Sequence, residues 1–71
     1  MPTVGTTSRR VGEAARSVRE AKDLSTRDIG RALGRSHTWI VEREAGNRAI
    51  TVDDLVALAE ALEVSPRTLL P

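Results

Sequence analysis

The chain has 71 residues, with no Cys, one His and one Trp. That is room for one small domain without disulfides or the ligand set of a structural zinc site, so its stability must come from helix packing or self-association. A net charge of +1 does not announce a nucleic-acid partner, and the longest apolar run, Leu55 to Ala59, is far too short to span a bilayer.

Residues 1–8 are small and polar and read as a flexible arm ahead of a domain over 9–71. They lack the basic-then-apolar layout of a signal peptide, and with no Cys present a cytoplasmic location is expected. A first helix is expected over 9–22, with Val11, Ala14, Ala15 and Val18 on one face. Asp23 and Leu24 separate it from Ser25-Thr26-Arg27-Asp28, a capping box that opens a second helix over 26–33. Ile29 and Leu33 are four apart on that helix, and Gly34 ends it. Ser36 opens a third helix over 37–45, closed by Gly46-Asn47, residues suited to a left-handed turn. Thr51-Val52-Asp53-Asp54 is a second capping box, before a helix over 52–62 with the strongest apolar stripe, Leu55, Leu58, Ala59 and Leu62. Ser65-Pro66 opens a short last helix over 66–70, with Pro at the first helical position. Val64 and Leu69 can close the core, and no segment alternates as a strand would. The expected fold is all-α with five helices.

Charge is uneven along the chain. Ten basic residues stand against six acidic ones up to Arg48, and one against four after it. Such an asymmetry points to a basic working face and a different role for the C-terminal part.

Two short helices joined by Gly34-Arg35-Ser36 form the helix-turn-helix pattern. With the stretches VREAKDLSTRDIGRALGRS, then W-I-x-x-x-E-x-G, then TVDDLVALAEALEVSPRTLL, the chain resembles the Cro and phage-repressor-like helix-turn-helix family. The resemblance implies a compact lambda-repressor-like domain whose third helix lies in the major groove of double-stranded DNA. Carried over position by position, it implies base contacts by His37, Thr38, Val41 and Glu42. It implies backbone contacts by Thr26 and Ser36 at helix starts, and by Asn47 and Arg48 in the loop after Gly46. Arg9, Arg10 and Arg16 are further candidates for the DNA backbone, against solvated charges. Arg19 and Glu44 match an ion pair joining the first and third helices.

The residues themselves support this unevenly. Positions 37, 38, 41, 42 and 45 share one helix face, with Ile40 opposite as a core anchor. A Glu can accept from cytosine N4, and Val or a Thr methyl can touch a thymine methyl. Glu42 can equally be a solvated position with an intrahelical partner. Trp39 reads either as a half-buried packing residue or as an indole donor to phosphate, and the two are compatible. Arg35 and Arg43 stand where relatives carry apolar residues. Arg43, four residues beyond Trp39, is expected to lie over the indole with its charge reaching solvent. Gly30 stands where Ala is common; it allows close helix contact but lowers helix propensity.

The function expected is a small operator-binding transcriptional regulator acting as a homodimer on a pseudo-palindrome, with a dimer surface around Val64, Leu70 and Pro71. Alternatives are an antitoxin or restriction-control regulator of the same fold, or a helical protein-docking module that never meets DNA. No enzyme, metal, cofactor, small-molecule ligand or membrane partner is expected.

Overall fold

The computed structural model describes residues 4–71. Five helices follow in order: α1 (Thr6–Ala21), α2 (Thr26–Leu33), α3 (His37–Glu44), α4 (Val52–Leu62) and α5 (Pro66–Leu69). No strand occurs among the described residues. The helix starts are set by local chemistry. Ser25 Oγ accepts from Asp28 N at 3.0 Å while Ser25 N donates to Asp28 Oδ2 at 2.8 Å. Thr51 and Asp54 repeat this reciprocal pair at 3.0 and 3.1 Å. Ser36 and Ser65 cap α3 and α5 through their hydroxyls. Each cap satisfies N–H groups that the helix leaves without partners. The bonds from the Ser25 backbone and side chain, with Arg31 beside them, hold the Asp28 carboxyl below the usual carboxylate range.

One boundary differs from the expectation by more than a single residue. Helix α1 starts at Thr6, so residues 6–8 are helical and not part of an arm. The first three residues of the expected arm lie outside the described residues. Among the described residues no side chain caps α1. Its start is held instead by Ser8, whose Oγ accepts from Ile50 N at 3.0 Å, 42 positions further along the chain. Helix stops also go beyond the glycines. Asp23 and Glu63 both take the left-handed conformation, each at φ 58°. Glu63 is the cap that ends α4 without a glycine.

The helices enclose one core of Val11, Ala15, Ile29, Ile40, Leu58, Ala59, Leu62 and Leu69. Helix α4 supplies three of these and α3 only Ile40. Helices α2 and α3 pack on one another, and α1 crosses α3, α4 and α5. Gly12 on α1 makes the α1–α3 crossing possible. A Cβ there would overlap the backbone carbonyl of Arg43. Val64 is half-buried against this core, so the exposed apolar surface at the C-terminal end is Leu70 with Pro71.

Candidate nucleic-acid interface

The turn between α2 and α3 aims the third helix. Gly34 adopts φ 68° and reverses the chain. Arg35 N then donates back to Gly30 O at 2.8 Å. The Arg35 carbonyl sits so close that a Cβ on Gly30 would lie 2.7 Å from it. Gly30 is therefore required by the turn, and the close approach expected of it is present.

Three further contacts fix α3. Ile40 is 1% exposed and anchors its inner face. Arg19 reaches from α1 with a two-pronged bond to Glu44, Nε to Oε2 at 2.8 Å and Nη2 to Oε1 at 3.0 Å. Its remaining prong, Nη1, donates to Leu24 O at 2.9 Å. One guanidinium thus joins α1, the α1–α2 corner and α3, with both paired side chains largely withdrawn from solvent. The Glu44 bonds hold the Arg19 charge more firmly than that of a free guanidinium. The pair implied by the resemblance is present.

The face of α3 opposite Ile40 is left open. Thr38, Val41 and Ala45 are exposed and His37 is half-buried. Val41 is 44% exposed, high for a valine inside a helix. Glu42 shares this face but is flanked by cations, with Oε1 3.7 Å from Arg43 Nη1 and Oε2 3.7 Å from Arg48 Nε. Its partners inside the protein are thus in view, while a base contact would have to compete with them.

The residues expected along the DNA backbone fall into two groups. Thr26, the first residue of α2, and Ser36, the cap of α3, open the helix-turn-helix pair. Asn47 and exposed Arg48 lie in the loop after α3, and the stem of Arg9 packs against Gly46 of that loop. Arg10 is exposed. Arg16 is also exposed but bonded to Glu20 at 3.4 Å along α1.

Trp39 is half-buried against the core, as its packing reading requires. Arg43 lies over the indole, 4.1 Å from the ring centroid, and Arg35 stands 5.0 Å away. The stem of Arg43 packs as expected, while its charge reaches solvent less fully than expected. Its side chain is only 17% exposed. Nη1 donates to Trp39 O at 3.4 Å, while Nε is buried without a partner among the described residues. The indole face and Glu42 both stand close to the charge.

Sequence reasoning passed over two features. Gly12 carries no local signal, since its neighbour Arg43 is on another helix. Arg27, Arg31 and Arg35 did carry one, a regular spacing of four. They line a groove of about 290 Å³ with Ser36 and His37. Among the described residues there is no group of three or more metal-ligating side chains, and no helix is long and apolar enough to cross a membrane.

With this geometry in hand, comparisons with known proteins agree on its type. The sequence pattern of the helix-turn-helix domain family matches residues 10–70. The restriction-modification controller protein C.AhdI from Aeromonas hydrophila is 29% identical, with a TM-score of 0.81 over 87% of this chain and 94% of that one. The P22 c2 repressor, solved in complex with a synthetic operator, is 30% identical, with a TM-score of 0.74 over 84% of this chain and 91% of that one. Hydroxypropylphosphonic acid epoxidase from S. wedmorenis shares the fold alone, at 24% identity and a TM-score of 0.83 over 93% of this chain and 35% of that one. No curated protein sequence matches.

Proposed function

This chain belongs to the helix-turn-helix domain family, and from that premise we propose how it acts as a DNA-binding transcriptional regulator. Helix α3 enters the major groove of an operator and reads base edges with His37, Thr38 and Val41. Glu42 discriminates between bases rather than adding affinity, because it must leave Arg43 and Arg48 to accept from a base. Thr26, Ser36, Asn47, Arg48, Arg9 and Arg10 hold phosphates on either side. Trp39 braces α3 and can give its indole N–H to the same backbone, and Arg16 joins once Glu20 releases it.

The observation that carries this reading is the one-sided anchoring of α3. Ile40, Gly12 and the Arg19–Glu44 pair fix the helix from behind, while its other face carries Thr38 and Val41, which no other described residue covers. A helix held rigidly yet uncovered is suited to reading another surface.

We propose further that two copies act together, through the surface around Leu70 and Pro71, on half-sites about 34–36 Å apart, in the cytoplasm. One domain of this size buries too little surface for tight specific binding alone. Control of a restriction-modification system is the second reading, favoured by the likeness to C.AhdI over nearly its whole length.

Selection of bound duplexes from a random pool tests the main reading, followed by Thr38→Ala and Arg48→Ala. Thr38→Ala is expected to relax preference at one base position, and Arg48→Ala to weaken all sites alike. Failure to bind any duplex at low salt sinks the reading. A selected site without symmetry sinks the dimer.

A further inference from the structure

Arg43 has no part in the DNA contacts assigned above, yet it stands next to one of them. Only 17% of its side chain is exposed, and its guanidinium lies 4.1 Å from the Trp39 ring centroid. Nη1 donates to the Trp39 carbonyl at 3.4 Å, and Nε is buried with no partner among the described residues. Burial of this kind is unfavourable for a cation, and a long apolar side chain would cover the indole without stranding a donor. Packing alone therefore does not account for Arg43. Among the described residues its only ion-pair partner is Glu42, with Oε1 3.7 Å from Nη1. Glu44, the other acid of α3, is taken by Arg19. Glu42 in turn has two cations, and they differ in freedom. Arg48 is 64% exposed and can turn away to a phosphate. Arg43 is held in place by the indole and the carbonyl. Both contacts to Glu42 are longer than a hydrogen bond, so they leave the carboxylate oxygens able to accept.

We propose that Arg43 is a positioning residue that lets Glu42 select cytosine, an inference that rests on the reading of α3 as the helix in the major groove. When the protein closes on a duplex, Arg48 goes to the backbone and Glu42 is left among phosphates, which repel a carboxylate. Arg43 stays behind. It is held too closely to follow Arg48, so its charge serves Glu42 alone and offsets that repulsion at the base edge. The base follows from what a carboxylate can do, which is only to accept. In the major groove cytosine presents the N4 amino group as a donor. Thymine O4 and guanine O6 and N7 are acceptors, and adenine sets the acceptor N7 beside its N6 donor. Arg43 thus reads no base itself and decides whether Glu42 can.

The test uses the whole chain and duplexes that differ at one position, the position where Glu42→Ala changes the preference of the wild type. The wild type is expected to favour cytosine there by about tenfold. Arg43→Met keeps a long stem over the indole and removes the charge, whereas Arg43→Lys keeps the charge. Thermal melts check that both variants fold. With Glu42 still in place, Arg43→Met is expected to lose most of the cytosine preference, and Arg43→Lys to retain most of it. A residue that only packs would weaken binding to every duplex alike and leave the preference as it was. The proposal is overturned if Arg43→Met keeps the preference, or if the two variants lose it to the same extent. It is also overturned if the wild type binds duplexes selectively but Glu42→Ala changes no position, or changes one where the favoured base is not cytosine. In each of these cases the DNA-binding reading stands. If the wild type binds no duplex at low salt, that reading and the role of Arg43 fall together.

Discussion

Helices α4 and α3 are held in place by different forces. Helix α4 buries Leu58, Ala59 and Leu62 in a continuous stripe and starts in a complete capping box. Helix α3 buries only Ile40, and its cap lacks the reciprocal carboxylate. What α3 lacks in apolar burial it replaces with long-range ties: the Arg19–Glu44 pair and the close backbone crossing at Gly12. A helix kept by the hydrophobic effect must give up a face to the core. A helix kept by a few directed contacts can leave most of its surface to a partner.

Four variants bear on this contrast. Leu62→Ala removes a side chain that is 1% exposed at the centre of the core. It is expected to cost about 3–4 kcal/mol in urea unfolding, much of the stability of so small a domain. Arg19→Ala leaves Glu44 without its partner in a mostly buried place, with an expected cost of about 2–3 kcal/mol. The double variant Arg19→Met with Glu44→Leu is expected to recover most of that stability. If Arg19→Ala costs under about 1 kcal/mol, packing alone holds α3 and the contrast fails. The smallest effect concerns the helix starts. The Asp28 carboxyl is held below its ordinary range by Ser25 and Arg31. Its stabilising part is therefore complete above the carboxylate range and lost as pH falls through it, below about pH 4. Thermal melts between pH 6 and pH 3 are expected to show a smaller acid-induced drop for Asp28→Asn than for the parent. Equal drops would mean that the reciprocal cap adds nothing.

The helices also differ in how far the sequence reveals them. The start of α4 can be read from Thr51 and Asp54 because a capping box is complete within four residues. The same holds for Ser25, while Ser36 and Ser65 are one-way caps that are equally local. The start of α1 is set by Ser8 meeting Ile50, a contact that no local pattern announces. Arg43 over Trp39 is legible because both lie on one helix, four apart. The degree of its burial is not, since that depends on neighbouring elements. The Arg19–Glu44 pair was read only through family resemblance, and its third bond to Leu24 O lies beyond sequence reading. Gly30 and Gly12 show the limit most clearly. Both are glycines inside helices, and only the chain passing beside each explains why no larger residue fits.

The bond between Ser8 and Ile50 has a consequence in time. It spans 42 positions and the Arg19–Glu44 pair spans 25, whereas each capping bond closes within three. The caps of α2 and α4 can form while the rest of the chain is still searching. The two long ties can close only after α1 has folded back across the domain. They act as latches: they do little to hasten folding, and they lengthen the life of the folded state by slowing its opening.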